Sequence, residues 1–195
     1  MACWPRLWAA SHVRNDILPN AILAIYKSPT TELHEETDRY LDTSIISAFW
    51  YEGANVAMLA RRLHTREWWN TERRNFEIWT SAFAEAELRS GTFPRQSECQ
   101  QMVRRLRYLP PTARVSDLAE EIARLGIVPA KEEMDASHLA TATIHEMDFL
   151  LTWNYAHLAN PVVQAGLIKL CELADLVRLC WFHPNRFRKS DLVNR

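Results

Sequence analysis

Three carboxylates stand out for their placement: Asp42, Asp135 and one of the neighbouring pair Glu85 and Glu87. Asp42 closes the run Arg39-Tyr40-Leu41-Asp42, which reads as a short strand, so the acid falls at the strand's carboxyl end. Asp135 shares a helical face with Leu139 and Ala142, which turns its carboxylate toward the apolar side near that helix's N-terminus. Glu87 lies on the stripe of Phe83 and Ala84, while Glu85 shares a face with Leu88, so periodicity leaves either glutamate eligible. An unpaired charge on an apolar face is costly. Several such acids gathered beyond strand ends repel one another unless a divalent cation neutralises them. Hard oxygen donors suit Mg²⁺ or Mn²⁺ at roughly 2.1 Å, and a site of that kind can hold a phosphate and activate water. Each acid also has a plainer explanation: Asp42 as a turn or N-cap residue, Asp135 as a helix-dipole partner, Glu87 as a solvated helix residue.

The elements that must bring these acids together alternate between strand and helix. After Arg39–Asp42, the residues Ile45, Ile46, Phe49 and Trp50 recur at helical spacing. Phe76–Thr80 reads as a second strand, and Ala82–Ser90 as a helix stopped by Gly91. A longer helix is expected from Pro94 through Leu106. Ser116 is the expected N-cap of a helix over Leu118–Leu125, with Asp117 and Glu120 in its first turn and Gly126 at its end. A helix from about Glu132 to His145, a strand Phe149–Trp153, a helix Pro161 to about Ala174 and a last strand Leu176–Phe182 complete the series. Strands separated by helices predict a three-layer α/β/α fold around a central, mainly parallel, short-stranded sheet. In such a sheet ligands bind beyond the carboxyl ends of the strands.

Length and composition bound the rest. A chain of 195 residues with 48% hydrophobic content can bury one sizeable core. The expected division is an extension over residues 1–37, one domain over 38–183 and a tail over 184–195. A formal charge of −1 gives no global basic signal, so a nucleic-acid partner would need a local basic surface. Cys3, Cys99, Cys171 and Cys180 form no CxxC pair and are expected to be reduced, buried thiols, as in a reducing cytoplasm. Arg6, His12 and Arg14 interrupt the N-terminal apolar residues, and no segment reads as a signal peptide or a membrane span.

Taken together, Tyr40-Leu41-Asp42-Thr43-Ser44, Ala86-Glu87-Leu88-Arg89-Ser90-Gly91 and Asp135-Ala136-Ser137-His138-Leu139-Ala140-Thr141-Ala142 with the following Phe149-Leu150-Leu151-Thr152-Trp153-Asn154 resemble the PIN-domain family over roughly residues 38–183. Within that family the resemblance is to the VapC-like toxins of toxin–antitoxin pairs. It implies a PIN-like fold and a Mg²⁺- or Mn²⁺-dependent endoribonuclease that hydrolyses RNA phosphodiester bonds. It favours Glu87 over Glu85 and implies catalytic roles for Asp42, Glu87 and Asp135. The same three residues and Asn154 would be the metal ligands, Asn154 standing where many relatives carry an aspartate. His157, three residues beyond Asn154, could contact a phosphate or hold the loop, or be an exposed loop histidine with no role, and is left outside that set. An RNA substrate, a cognate antitoxin and a homodimer are the implied partners. A second reading, motivated by Asn154 and the N-terminal extension, is a catalytically silent PIN-like module that binds RNA or protein.

Two basic clusters are candidate RNA surfaces: Arg61, Arg62, Arg73 and Arg74 around Trp68 and Trp69, and Arg104, Arg105 and Arg107. Both also fit solvated helix faces over core tryptophans. The helices over Ile45 to Leu63 carry more apolar residues than one buried stripe needs, including Phe49, Trp50, Tyr51, Val56 and Met58. Such an excess predicts a dimer or antitoxin contact.

Overall fold

The computed structural model describes residues 37–90, 92–129, 131–176 and 180–182. The expected tail, and the expected extension apart from Thr37, lie outside the described residues, as does the helix stop Gly91. Five strands form one sheet: β1 (Thr37–Leu41), β2 (Phe76–Ser81), β3 (Arg107–Leu109), β4 (Phe149–Leu151) and β5 (Cys180–Phe182). Their order is β3-β2-β1-β4-β5 and every pairing is parallel. The expected three-layer α/β architecture is therefore the one observed. The chain first builds outward from β1 through β2 to β3, then crosses back to place β4 on the other side of β1. That reversal makes β1 and β4 the topological switch point, where neighbouring connections leave in opposite directions and open a crevice.

Side-chain alternation along β1 feeds both faces of the sheet. Tyr40, with Leu150 of β4, packs into a core closed by α5 (Ala113–Arg124), α6 (Glu133–Ile144) and α7 (Pro161–Ala174). Leu41, with Ile78 and Leu151, packs against Ile45 and Ala48 of α1 (Thr43–Trp50) and Trp68 of α2 (Val56–Thr71). A third cluster joins Ile46 of α1 to Leu88 of α3 (Ala82–Arg89) and to Cys99, Met102 and Val103 of α4 (Gln96–Val103). Cys99 and Cys171 are free and buried, as expected; the side chains of Cys3 and Cys180 lie outside the described residues.

Local chemistry sets the boundaries. The Asn55 carboxamide accepts from Met58 N at 3.1 Å, so α2 starts afresh after the Glu52-Gly53-Ala54 break. Asn160 caps α7 and Pro161 occupies its first turn, where the missing N–H is no loss. Gly126 takes φ +64° just beyond α5, a left-handed conformation open to glycine.

Two expectations are corrected. Ser116 does not cap α5: the cap is Thr112, whose hydroxyl accepts from Val115 N at 3.3 Å, and Asp117 and Glu120 lie beyond the first turn. Pro110-Pro111 hold the chain extended up to Thr112, so the helix can begin there, and its apolar stripe starts at Val115. The expected helix from Pro94 to Leu106 is instead Gln96–Val103, followed by turns at Arg105 and Leu106 and then by β3. With Arg107 and Tyr108 exposed and only Leu109 buried, β3 is a three-residue edge strand that leaves no alternating signature.

Candidate metal centre

Asp42 leaves β1 and becomes the N-cap of α1. Its Oδ1 accepts from Ser44 N (3.0 Å), Ser44 Oγ (2.6 Å) and Ile45 N (3.3 Å). Its Oδ2 accepts from Thr152 Oγ1 at 2.7 Å, two residues before Asn154. Three donors thus converge on one oxygen, and the other keeps lone-pair capacity. Ser44 Oγ also accepts from Trp153 N (2.8 Å), and Thr152 Oγ1 from Asn154 N (2.8 Å). The Asp42-Thr43-Ser44 turn after β1 and the Thr152-Trp153-Asn154 turn after β4 are stitched together at the switch point.

Asp135 sits in the first turn of α6, where the helix dipole favours a negative charge. The Asn154 amide Nδ2 donates to Asp135 Oδ1 at 3.1 Å and Oδ2 at 3.3 Å. His157 Nδ1 lies 2.8 Å from Asp135 Oδ2 and 3.8 Å from Glu132 Oε2. Sequence reasoning left His157 outside the ligand set and did not single out Glu132. The three-residue step from Asn154 to His157 was the available signal, because the Asn154 Oδ1 accepts from His157 N at 3.1 Å and folds the loop back on itself.

Glu87 reaches the same crevice from α3. Its Oε2 accepts from the hydroxyl of Thr43 and lies 3.1 Å from His138 Nε2 on α6. His138 is buried, and its Nδ1 lies 2.6 Å from the hydroxyl of Tyr40, which in turn lies 2.7 Å from Ser81 Oγ. The whole chain is satisfied if Tyr40 donates to Nδ1 and the Nε2–H donates to Glu87. Glu85 instead pairs with Arg89 and Arg104, at 3.0 and 3.8 Å.

The electrostatics follow the burial. Burial pushes Asp42 above the usual carboxylate range, although His138, Ser44, Thr152 and Ile45 all oppose the shift. Burial likewise pushes Asp135 up against the pull of His157 and His138. Burial works on Glu87 too, but its hydrogen bonds from His138 and Thr43 outweigh it and hold that carboxyl below the usual range. Two buried carboxyls whose charged forms are penalised, with open oxygen lone pairs, fit a divalent cation, which would offset that penalty. Among the described residues, the histidines and acids whose ligand atoms all fall within 4.8 Å of one another are Glu132, Asp135 and His157. Asp42 and Glu87 are not members of that group; they connect to it through hydrogen bonds, Asp42 by Thr152 to Asn154 and Glu87 to His138 on α6.

Next to this loop, the Arg61 guanidinium lies 5.9 Å from the Trp153 ring and 6.0 Å from that of Tyr155, whose ring is partly exposed. Trp68 is buried and stacked on Phe76, so it serves the core, while Trp69 is partly buried with the Arg73 guanidinium over its ring. No helix among the described residues is long and apolar enough to cross a membrane.

With this geometry in view, comparison with known proteins gives the family. The profile of the PIN domain matches residues 39–157, and the chain belongs to the PIN-domain family. The chain is also similar to a solved structure, the sarcin-ricin-loop-cleaving toxin VapC20 of Mycobacterium tuberculosis. Sequence identity is 20% and the TM-score 0.47, over 66% of this chain and 95% of the toxin. No curated protein matches the sequence.

Proposed function

We propose that this protein is a divalent-metal-dependent ribonuclease, with Asp42, Glu87 and Asp135 as the carboxylates that hold Mg²⁺ or Mn²⁺ in the crevice between β1 and β4. The observation that carries this reading is the placement, at the switch point of a PIN fold, of two buried carboxyls whose charged forms burial penalises despite the histidines beside them. A bound ion there supplies Lewis acidity to a phosphoryl oxygen and lowers the pKa of a coordinated water. The protein's own part is positional. Ser44 and Thr152 fix Asp42, His138 and Thr43 fix Glu87, and Asn154 fixes Asp135 through its NH₂ group. Arg61, beside the rings of Trp153 and Tyr155, is a cation next to this loop that could meet a phosphate.

The toxin role rests on the family resemblance and on partner surface. Val56 and Leu63 of α2 are largely exposed, and a groove of about 380 Å³ lined by Phe49, Trp50, Trp69 and Met102 opens between α1, α2 and α4. An antitoxin segment or a second copy of the chain would cover such a face. We place the protein in the cytoplasm on the same reading.

The deciding experiment is cleavage of structured RNA by the purified full chain with Mn²⁺. Asp42→Ala and Asp135→Ala should each reduce the rate on the order of a hundredfold or more; cleavage at the native rate by both variants overturns the assignment. One observation favours a silent RNA- or protein-binding module instead: the fourth position presents amide protons, not an acid, to Asp135. Retained RNA affinity with no Mg²⁺ or Mn²⁺ binding in calorimetry would establish that alternative.

A further inference from the structure

Asn154 occupies the position where a fourth oxygen ligand is expected, yet its oxygen is engaged elsewhere. The Oδ1 accepts from His157 N at 3.1 Å, and a flipped amide would set NH₂ against that N–H, donor against donor. The NH₂ therefore faces Asp135, at 3.1 and 3.3 Å from its two oxygens. Hydrogens pointed at the site offer a cation no lone pair.

The same hydrogen bond that turns the amide away brings the His157 ring in. Its Nδ1 stands 2.8 Å from Asp135 Oδ2 and 3.8 Å from Glu132 Oε2. One ligand atom from each of the three residues lies within 4.8 Å of the other two. Two donors at right angles on an ion about 2.1 Å away stand roughly 3.0 Å apart, and two opposite donors about 4.2 Å, so these separations suit one coordination sphere. Residues from two elements meet here: Glu132 and Asp135 at the start of α6, and His157 from the loop after β4. The three side chains are neither sealed from solvent nor fully exposed.

We infer that His157 Nδ1, together with Glu132 and Asp135, coordinates the metal, so that an imidazole replaces the fourth oxygen donor and the site selects Mn²⁺ or a later first-row ion over Mg²⁺. The inference rests on the metal-centre reading above. Imidazole is a good ligand for first-row transition ions, whereas Mg²⁺ prefers an all-oxygen shell, so the exchange of one oxygen for nitrogen changes which ion binds. Asn154 then acts as a positioning residue, holding both Asp135 and the His157 backbone.

Pulsed electron paramagnetic resonance of the native full chain with substoichiometric Mn²⁺ tests this without any RNA. A ¹⁴N coupling from a directly bound imidazole is expected, and it should vanish in His157→Gln. Calorimetry should show the Mn²⁺ to Mg²⁺ affinity ratio falling about tenfold or more in that variant. Bound Mn²⁺ without nitrogen coupling, or a coupling and ratio that survive His157→Gln, overturns the inference while leaving the metal centre standing. Failure of the native chain to bind Mn²⁺ at all removes both. Should His157→Gln not fold, Glu132→Gln at the partly exposed start of α6 decides: about tenfold weaker Mn²⁺ binding supports the assignment, and unchanged binding refutes it.

Discussion

The Thr152 hydroxyl donates to Asp42 Oδ2 at 2.7 Å while accepting the backbone N–H of Asn154 at 2.8 Å. One oxygen therefore sets both the acid after β1 and the turn after β4. Thr152→Val keeps the shape and removes the oxygen, leaving a buried carboxylate oxygen and a backbone N–H without their shared partner. We expect a loss of roughly 1–3 kcal/mol in denaturant unfolding. Mn²⁺ affinity should fall with it, which calorimetry would register; native affinity would detach the hydroxyl from the site.

Asp42 also makes a prediction about pH. Its carboxyl is raised in the folded protein relative to the unfolded chain, so the folded state holds the proton more tightly. Its ionisation therefore counts against the metal-free fold at pH values above the folded pKa. That cost is relieved as pH falls through the folded pKa toward the unfolded one. Asp42→Asn removes the charge and keeps an oxygen for Ser44 and Ile45. In chelator at neutral pH its thermal midpoint should lie above that of the native chain. Added Mn²⁺ should stabilise the native chain and reverse the order. A lower midpoint for Asp42→Asn in chelator contradicts the account.

His138 is expected to act through Glu87. Its ring bridges Tyr40 and Glu87, so His138→Ala frees the glutamate to swing and strands the Tyr40 hydroxyl. Removing such a partner of a metal-holding carboxylate typically costs 10- to 100-fold in affinity or activity, and we expect a loss of about that size. His138→Gln, which can keep one of the two hydrogen bonds, should recover part of it. Steady-state cleavage of RNA by the two variants provides the comparison.

Thr65 offers a control outside the metal site. Its hydroxyl accepts from Trp153 Nε1 at 2.7 Å inside the core beneath α2. Thr65→Val should destabilise the protein by roughly 1–3 kcal/mol through the stranded indole N–H. Mn²⁺ affinity measured well below the melting temperature should stay unchanged. A large affinity loss would mean that the loop after β4 depends on this anchor for its shape.

The parts of this architecture that could be read in the sequence are those written in periodicity. Helix α6, strand β4 and helix α7 carry long apolar patterns with clear start signals, and they lie within a residue or two of where those patterns place them. The edge strand β3 was illegible because two of its three residues face solvent, and its arginine and tyrosine continue the look of the preceding helix. Asp42 and Asp135 were legible because each ends or opens a regular element. Glu132 and His157 were not, because their meeting depends on the path of a loop held by a single side-chain carbonyl, and no repeat encodes that path. The choice of Glu87 over Glu85 came from the family pattern alone; in three dimensions Glu87 meets Thr43 and His138, whereas Glu85 meets Arg89 and Arg104.

The carboxylate of Asp42 caps α1, and on the proposed metal-holding reading one side chain would answer to two selective demands. A lineage released from catalysis would still be penalised for losing the cap, and serine or asparagine would satisfy that demand as well as aspartate. Inactive descendants of this fold should therefore drift at position 42 toward other capping residues and rarely toward alanine. A small polar residue found there in a relative testifies to the helix first and to chemistry only second.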